Sequence, residues 1–259
     1  LGEKPRISPY FGILVGVSAV STASIIIRLS RSPALVIAFY RLFFAVLILL
    51  PFFFLKGGLR ELRALSRRNF LVLAGVGVVL AAHFGSWITS LKLTSIASSV
   101  ILTNVGPIFV AILSHFYFKE KTTRRVWVGI LIAFIGATII SLEDLGRGEE
   151  SLLGDLLAVI GAVMLSLYLL AGRRIRQNLG LFTYVTPVYM VCALTLFLSC
   201  VPAGIRLAPY PQEELVIFFA LAVVPMIFGH TVYNWALKYV EAPIVAVSLL
   251  GEPVGAILL

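Results

Sequence analysis

The sequence predicts an all-α, polytopic membrane protein. Three observations carry that expectation: 60% of the residues are hydrophobic, only 13% are charged, and the mean hydropathy is +1.03. A soluble domain carries about a quarter charged residues, so the polar surface here is too small to cover a globule in water. The apolar runs approach the ~20 residues that a helix needs to cross a bilayer. That length selects helices over the short alternating strands of a barrel.

Nine spans follow in order, at roughly 9–28, 33–55, 70–91, 95–117, 124–142, 152–172, 181–202, 214–237 and 242–259. Pro9 and Pro33 fall near first turns, and Ser95 and Thr123 are candidate N-caps. The connections around Ser30, Lys92 and Lys238 are so short that the spans they join must be antiparallel neighbours. No linker or low-complexity stretch interrupts the chain, so residues 1–259 form a single transmembrane domain. Cys192 and Cys200 lie two turns apart in one apolar run, which disfavours a disulfide and suits small core side chains. The first span is too long for the apolar core of a secretory signal.

The net charge of +9 invites a nucleic-acid reading. It fails because the basic residues sit in short loops between spans, where membrane topology accounts for them. With the N-terminus in the cytoplasm, the inside group is Lys4, Arg6, Lys56, Arg60, Arg63, Arg67, Arg68, Lys119, Lys121, Arg124, Arg125, Arg173, Arg174, Arg176 and Lys238. Outside fall Arg28, Arg31, Lys92, Arg147 and Arg206, with Arg41 left inside a span. The bias predicts a multi-pass protein of the cell membrane with a cytoplasmic N-terminus.

Two stretches share one outline. SLKLTSIASSVILTNVGPIFVAIL (90–113) and ALKYVEAPIVAVSLLGEPVGAILL (236–259) each open on a Leu-Lys pair, and a proline follows at the same interval, Lys92 to Pro107 and Lys238 to Pro253. The chain divides around them into a five-helix unit over 1–145 and a second over 146–259. Because five is odd, the second unit enters the membrane from the opposite side, which gives an inverted repeat around a central cavity, a common transporter architecture. Nine of an expected ten helices are present. The absent initiator Met and the apolar run at Leu259 read as a chain cut at both ends, with the last helix of the second unit beyond it.

At these residues the sequence resembles the EamA-type, ten-helix branch of the drug/metabolite transporter superfamily. The resemblance is carried by FYRLFFAVLILLP (Phe39–Pro51), by the 90–113 stretch with its trailing FKEK, and by the 236–259 stretch, whose Glu252-Pro253 matches a pair frequent in that family's ninth span. One departure is Gly106, which stands where the later stretch has Glu252. The resemblance implies a ten-helix basket that moves small, amino-acid-like metabolites, usually outward. There is no phosphate-binding loop of the G-x-x-x-x-G-K-[ST] type. No cofactor is expected, and energy comes from the cargo gradient or from a coupling ion, the proton being one candidate.

Ionisable groups inside a membrane are costly, so each is a functional candidate. Glu252 lies about ten residues into its span, near the midplane. Pro253 should free the carbonyl of Leu249 beside it. Together they would bind an amine or carry a proton, unless the carboxylate is locked to a neighbouring helix or to Arg41. Arg41, about 12 Å deep, can grip a carboxylate, pair with Glu252 or snorkel outward. His83 and Trp87, one turn apart on a shared face, form a platform for an aromatic or cationic cargo. The alternative is a histidine satisfied by a carbonyl, with Trp87 in the outer interfacial belt. Asn104 faces the carbonyls that Pro107 disturbs, as either a kink stabiliser or a polar group lining the cavity. Ser21, Thr22 and Tyr168, with Ser166, are deep enough to touch a central cavity, although the small-residue stripe of Gly12, Gly16, Ser18, Ser21 and Thr22 also fits close helix packing. His230, Tyr233 and Asn234 fall near the inner end of their span and read as a cytoplasmic gate or as interface anchors.

The partners expected are a small-molecule cargo and the lipid bilayer, with no nucleic acid. The sequence is compatible with a monomer or a homodimer. An intramembrane enzyme would need clustered His, Asp or Glu, whereas the three histidines lie on three spans. A lipid or glycolipid flippase is the alternative within the same superfamily.

Overall fold

The computed structural model describes residue 5, residues 7–118 and residues 148–253, with positions 124, 128, 129, 131, 132, 135, 136 and 139 between them. Most of the fifth expected span, the N-cap expected at Thr123 and the last residues of the ninth span lie outside the described residues. Among those described, seven helical rods are long and apolar enough to cross a membrane: Pro9–Leu29, Ala34–Leu55, Arg67–Leu93, Ile96–Leu113, Glu149–Ile175, Leu181–Cys200 and Gln212–Ala236. A shorter apolar helix, Ala242–Pro253, follows. Each agrees with an expected span to within a few residues.

In finer detail, the first rod is α1 (Pro9–Ser21) and α2 (Ala23–Leu29), followed by α3 (Ala34–Leu55), a short α4 (Gly58–Arg63) and α5 (Arg67–Leu93). The fourth rod is α6 (Ile96–Thr103) and α7 (Gly106–Phe118), broken at Asn104. Then come α8 (Glu149–Ile175), α9 (Leu181–Cys200) and α10 (Gln212–Leu221). A π-helical segment, Ala222–Thr231, leads into α11 (Val232–Ala236), and α12 (Ala242–Ser248) follows.

Local chemistry explains several of these ends. Pro9 occupies the first helical position of α1, where a missing N–H costs nothing. Ser66 and Ser95 cap α5 and α6 by accepting from the N–H of Asn69 (3.2 Å) and of Ser98 (3.0 Å), so the cap expected at Ser95 is present. Pro225 lies inside the π segment and withdraws a donor from its ladder. Cys192 and Cys200 are both free and buried.

The most extensive packing is between α5 and α8, then between α3 and α9 and between α5 and α9. Glycines allow these approaches. A Cβ on Gly77 would lie 2.7 Å from Val191 Cβ and 2.8 Å from the Val188 carbonyl of α9. A Cβ on Gly16 would lie 2.8 Å from the Tyr233 ring, so the expected close packing along that stripe is realised against the π segment and α11. Leu14, Leu47, Leu198 and Phe219 stand exposed, as expected of a bundle flanked by lipid.

The two ends of the bundle are tied by carboxylates. At one end Glu214 accepts from the Arg31 N–H (2.7 Å), from Ser32 Oγ (2.7 Å) and from Ser30 Oγ. Lys92 donates to the Ser30 carbonyl (2.6 Å) and Arg28 to the Thr94 carbonyl (2.6 Å). At the other end Glu61 accepts from the Gly180 N–H (2.8 Å) and from Thr183 Oγ1, while Arg173 donates to the Leu237 carbonyl (2.8 Å). Thus Arg28, Arg31 and Lys92 share one end, and Arg173 and Lys238 share the other, as the alternation of spans requires.

Candidate functional site

Between these ends, side chains from five rods and from the shorter final helix converge on a small cavity of about 20 Å³. His83 and Trp87 of α5, His230 of the π segment, Thr103 of α6 and Glu252 beyond α12 face it, with Val20 and Leu249 among its apolar walls. Each of the polar lining residues is at most 9% exposed.

The cavity's polar wall is fixed from behind. His83 Nδ1 lies 2.9 Å from the Gly161 carbonyl; because a carbonyl only accepts, Nδ1 carries a hydrogen and Nε2 is left for other work. The His83 ring stacks on Trp87 with centroids 5.9 Å apart and planes 8° from parallel. The His83 ring is thus both satisfied by a carbonyl and stacked on Trp87. Trp87 is buried, with an Nε1 that has no hydrogen-bond partner among the described residues, so it is not in an outer belt.

Asn104 sits at the break between α6 and α7. Its Nδ2 donates back to the Val100 carbonyl (2.9 Å) and across to Glu252 Oε2 (3.3 Å), joining the two stretches that share an outline in the sequence. The carbonyl of Leu249 is not free: it accepts the Glu252 N–H at 2.8 Å. The helix breaks into turn at Leu249 and Leu250 before resuming at Gly251, and the tighter turn supplies the donor that an unbroken helix would have lost to Pro253.

Arg41 departs from two of its three expected roles. It is fully buried rather than snorkelling, and among the described residues no nitrogen of its guanidinium has a hydrogen-bond partner. Its Cζ stands 4.3 Å from the centroid of Phe84, whose ring also meets His230 at 5.1 Å. Arg41 is thus held by a cation–π contact one layer behind the cavity, not by Glu252. Ser21 and Thr22 turn their hydroxyls back to the carbonyls of Val17 (2.9 Å) and Ala19 (2.8 Å), and Val20 and Ala23 line the cavity instead. Tyr168 packs near His230 (6.5 Å between rings) and accepts from Asn234 Nδ2 at 2.5 Å, behind the wall. Ser166 Oγ bonds the Gly106 and Ala162 carbonyls at 2.9 and 2.7 Å, tying α8 to α7.

His230 was not among the residues expected at the centre. Its ring lies 6.3 Å from that of His83, inside the cavity wall rather than at an inner gate. Counting depth at an α-helical rise misplaces it, because the residues before it wind as a π-helix. Pro225 in an otherwise apolar run was the signal available, since π-helical turns gather where the regular ladder is interrupted and often mark functional sites.

The fold is an apolar helical bundle around a small cavity on whose mostly apolar wall a few polar groups, Glu252, His83, His230 and Thr103, are set. The chain belongs to the EamA-like transporter family, whose model matches residues 1–142 and 152–259. It is a multi-pass membrane protein. An uncharacterized transporter from Archaeoglobus fulgidus is 27% identical over 64% of this chain and 57% of its own. A second from that organism is 24% identical over 84% of this chain and 75% of its own. An S-adenosylmethionine uptake transporter from Rickettsia felis is 29% identical over 51% of this chain. That match spans 43% of the Rickettsia protein, so for it and for the first relative the chain spans less than two thirds of the relative's length. A protein of known crystal structure superposes with a TM-score of 0.69 at 20% identity, over 96% of this chain and 85% of that one, a likeness of fold.

Proposed function

We propose that the protein is a secondary transporter of small, amino-acid-like metabolites, working outward across the cell membrane by alternating access, with its N-terminus in the cytoplasm. The observation that carries this reading is the Glu252 carboxylate on the wall of a cavity that it shares with His83, Trp87 and His230. A carboxylate beside a stacked imidazole–indole pair suits a cationic amine. Arg41, one layer away and without a hydrogen-bond partner among the described residues, is the group to meet a cargo carboxylate once Phe84 yields. Asn104 and Tyr168 act as positioning residues, Asn104 by holding Glu252 and Tyr168 behind His230.

A space of about 20 Å³ holds about one water and no metabolite, so in this reading the site opens before it loads. Two inverted halves, 1–145 and 146–259, would supply the movement. Three observations support them: the family model matches two ranges, the fourth rod and the final helix both break before a proline, and each half contributes one carboxylate tie. S-adenosylmethionine, the cargo named for the Rickettsia relatives, carries an amino-acid group, the class proposed here. Those relatives are named for uptake, and a secondary carrier runs in whichever direction its gradients dictate. The lipid-flippase alternative draws no support from the relatives reported above.

The test is a thermal-shift screen of the purified protein against a metabolite library, since a ligand stabilises the state it binds. Amino-acid-like cations should raise the melting temperature of the wild type and leave Glu252→Gln unmoved. Equal shifts in both proteins, or stabilisation by neutral sugars alone, would overturn the assignment.

A further inference from the structure

A larger cleft, about 410 Å³, opens between the first turns of α5 and the last turn of α8, at the bundle end held by Glu61. Arg68 and Asn69 of α5 line it opposite Arg174 and Asn178 at the end of α8, with Val72 and Ile175 among its apolar lining. Arg68 opens one membrane-crossing rod and Arg174 closes another, so both lie where hydrocarbon gives way to water. Neither guanidinium has a protein partner among the described residues, and Glu61, a carboxylate of the same end, is committed to Gly180 and Thr183.

We infer that this cleft is a headgroup site for an anionic phospholipid. Two guanidinium groups lining one cleft match a phosphate, which can accept from both. Two carboxamides supply further donors for the glycerol or headgroup hydroxyls. The apolar groups decide between a lipid and a soluble phosphate. Val72 lies one turn beyond Arg68 on the same helix face and is 48% exposed, and its neighbour Leu71 is 59% exposed. A cation at the interface followed one turn deeper by uncovered apolar side chains fits a phosphate joined to acyl chains. A free anion would gain nothing from the second half of the site. The cleft also stands at the end where the sequence gathers most of its basic residues, the side on which anionic lipids are recognised by such pockets.

The test compares retention of phosphatidylglycerol and of phosphatidylcholine with the same acyl chains, by native mass spectrometry of the detergent-purified protein. Wild type should keep phosphatidylglycerol preferentially, and Arg68→Gln/Arg174→Gln should lose that preference by about thirtyfold. Arg60→Gln/Arg63→Gln, at the same end but outside the cleft, should keep it. Rising salt should weaken phosphatidylglycerol retention in the wild type and spare phosphatidylcholine, a reading that needs no variant. Equal retention in wild type and the Arg68/Arg174 variant, retention insensitive to salt, or full displacement of the lipid by an equal concentration of inorganic phosphate would each overturn the inference.

Discussion

Glu214 and Glu61 sit at opposite ends of the bundle, and each gathers donors from the approach to another helix. Glu214 takes three, from Ser30, Arg31 and Ser32 ahead of α3, and its neighbours Lys92 and Arg28 bond two further loop carbonyls. Glu61 takes two, from Gly180 and Thr183 at the start of α9, and the large cleft opens beside it. The Glu214 carboxylate thus takes one donor more than the Glu61 carboxylate, while Arg173 and Arg176 add bonds to the Leu237, Asn234 and Leu179 carbonyls at the Glu61 end.

Removing acceptors should separate the two ends. Glu214→Ala leaves three donors without their carboxylate; at 1.5–3 kcal/mol for each hydrogen bond to a charged group, discounted for replacement by water, the loss should be about 3 kcal/mol. Its melting temperature in detergent should fall furthest, and a cysteine placed at Ser32 should become more reactive to a membrane-impermeant reagent. Gly77→Ala attacks the α5–α9 seam between the ends, where a methyl must displace Val191 and the Val188 carbonyl. Overpacking of that kind should cost about 2 kcal/mol, read in the same melting assay. Glu61→Ala should cost about 1–2 kcal/mol and should raise labelling near Gly180 rather than near Ser32. If Glu61→Ala proves as damaging as Glu214→Ala, the comparison between the ends fails. The smallest change is expected for Ser21→Ala and Thr22→Ala, whose hydroxyls bond only their own helix. Stability should move by less than about 0.5 kcal/mol and flux should be unchanged; a clear loss of flux would return these residues to the cargo path.

The rods were legible in the sequence because bilayer thickness sets their length, and apolar composition with capping residues such as Ser95 marks their limits. Glu252, His83 and Trp87 were legible as cavity candidates because buried charge and a one-turn aromatic pair leave a mark in the order of residues. His230 was not, because the winding of Ala222–Thr231 as a π-helix changes both its depth and the direction it faces. The Leu249 carbonyl was misjudged for a related reason: a break at Leu249–Leu250 creates a donor that no span count contains. Arg41 shows the limit of a polarity argument. Nothing in FYRLFF reveals that Phe84, on another rod, will cover the guanidinium.

Counterflow of a radiolabelled amino-acid-like cargo, chosen by the thermal screen, into proteoliposomes bearing wild type or Glu252→Gln tests the central claim most directly. The account predicts at least a tenfold loss of flux, with the variant folded, inserted and melting close to the wild type. Equal flux from both proteins at every pH tried would contradict it, and Glu252 would then be a structural partner of Asn104 and nothing more.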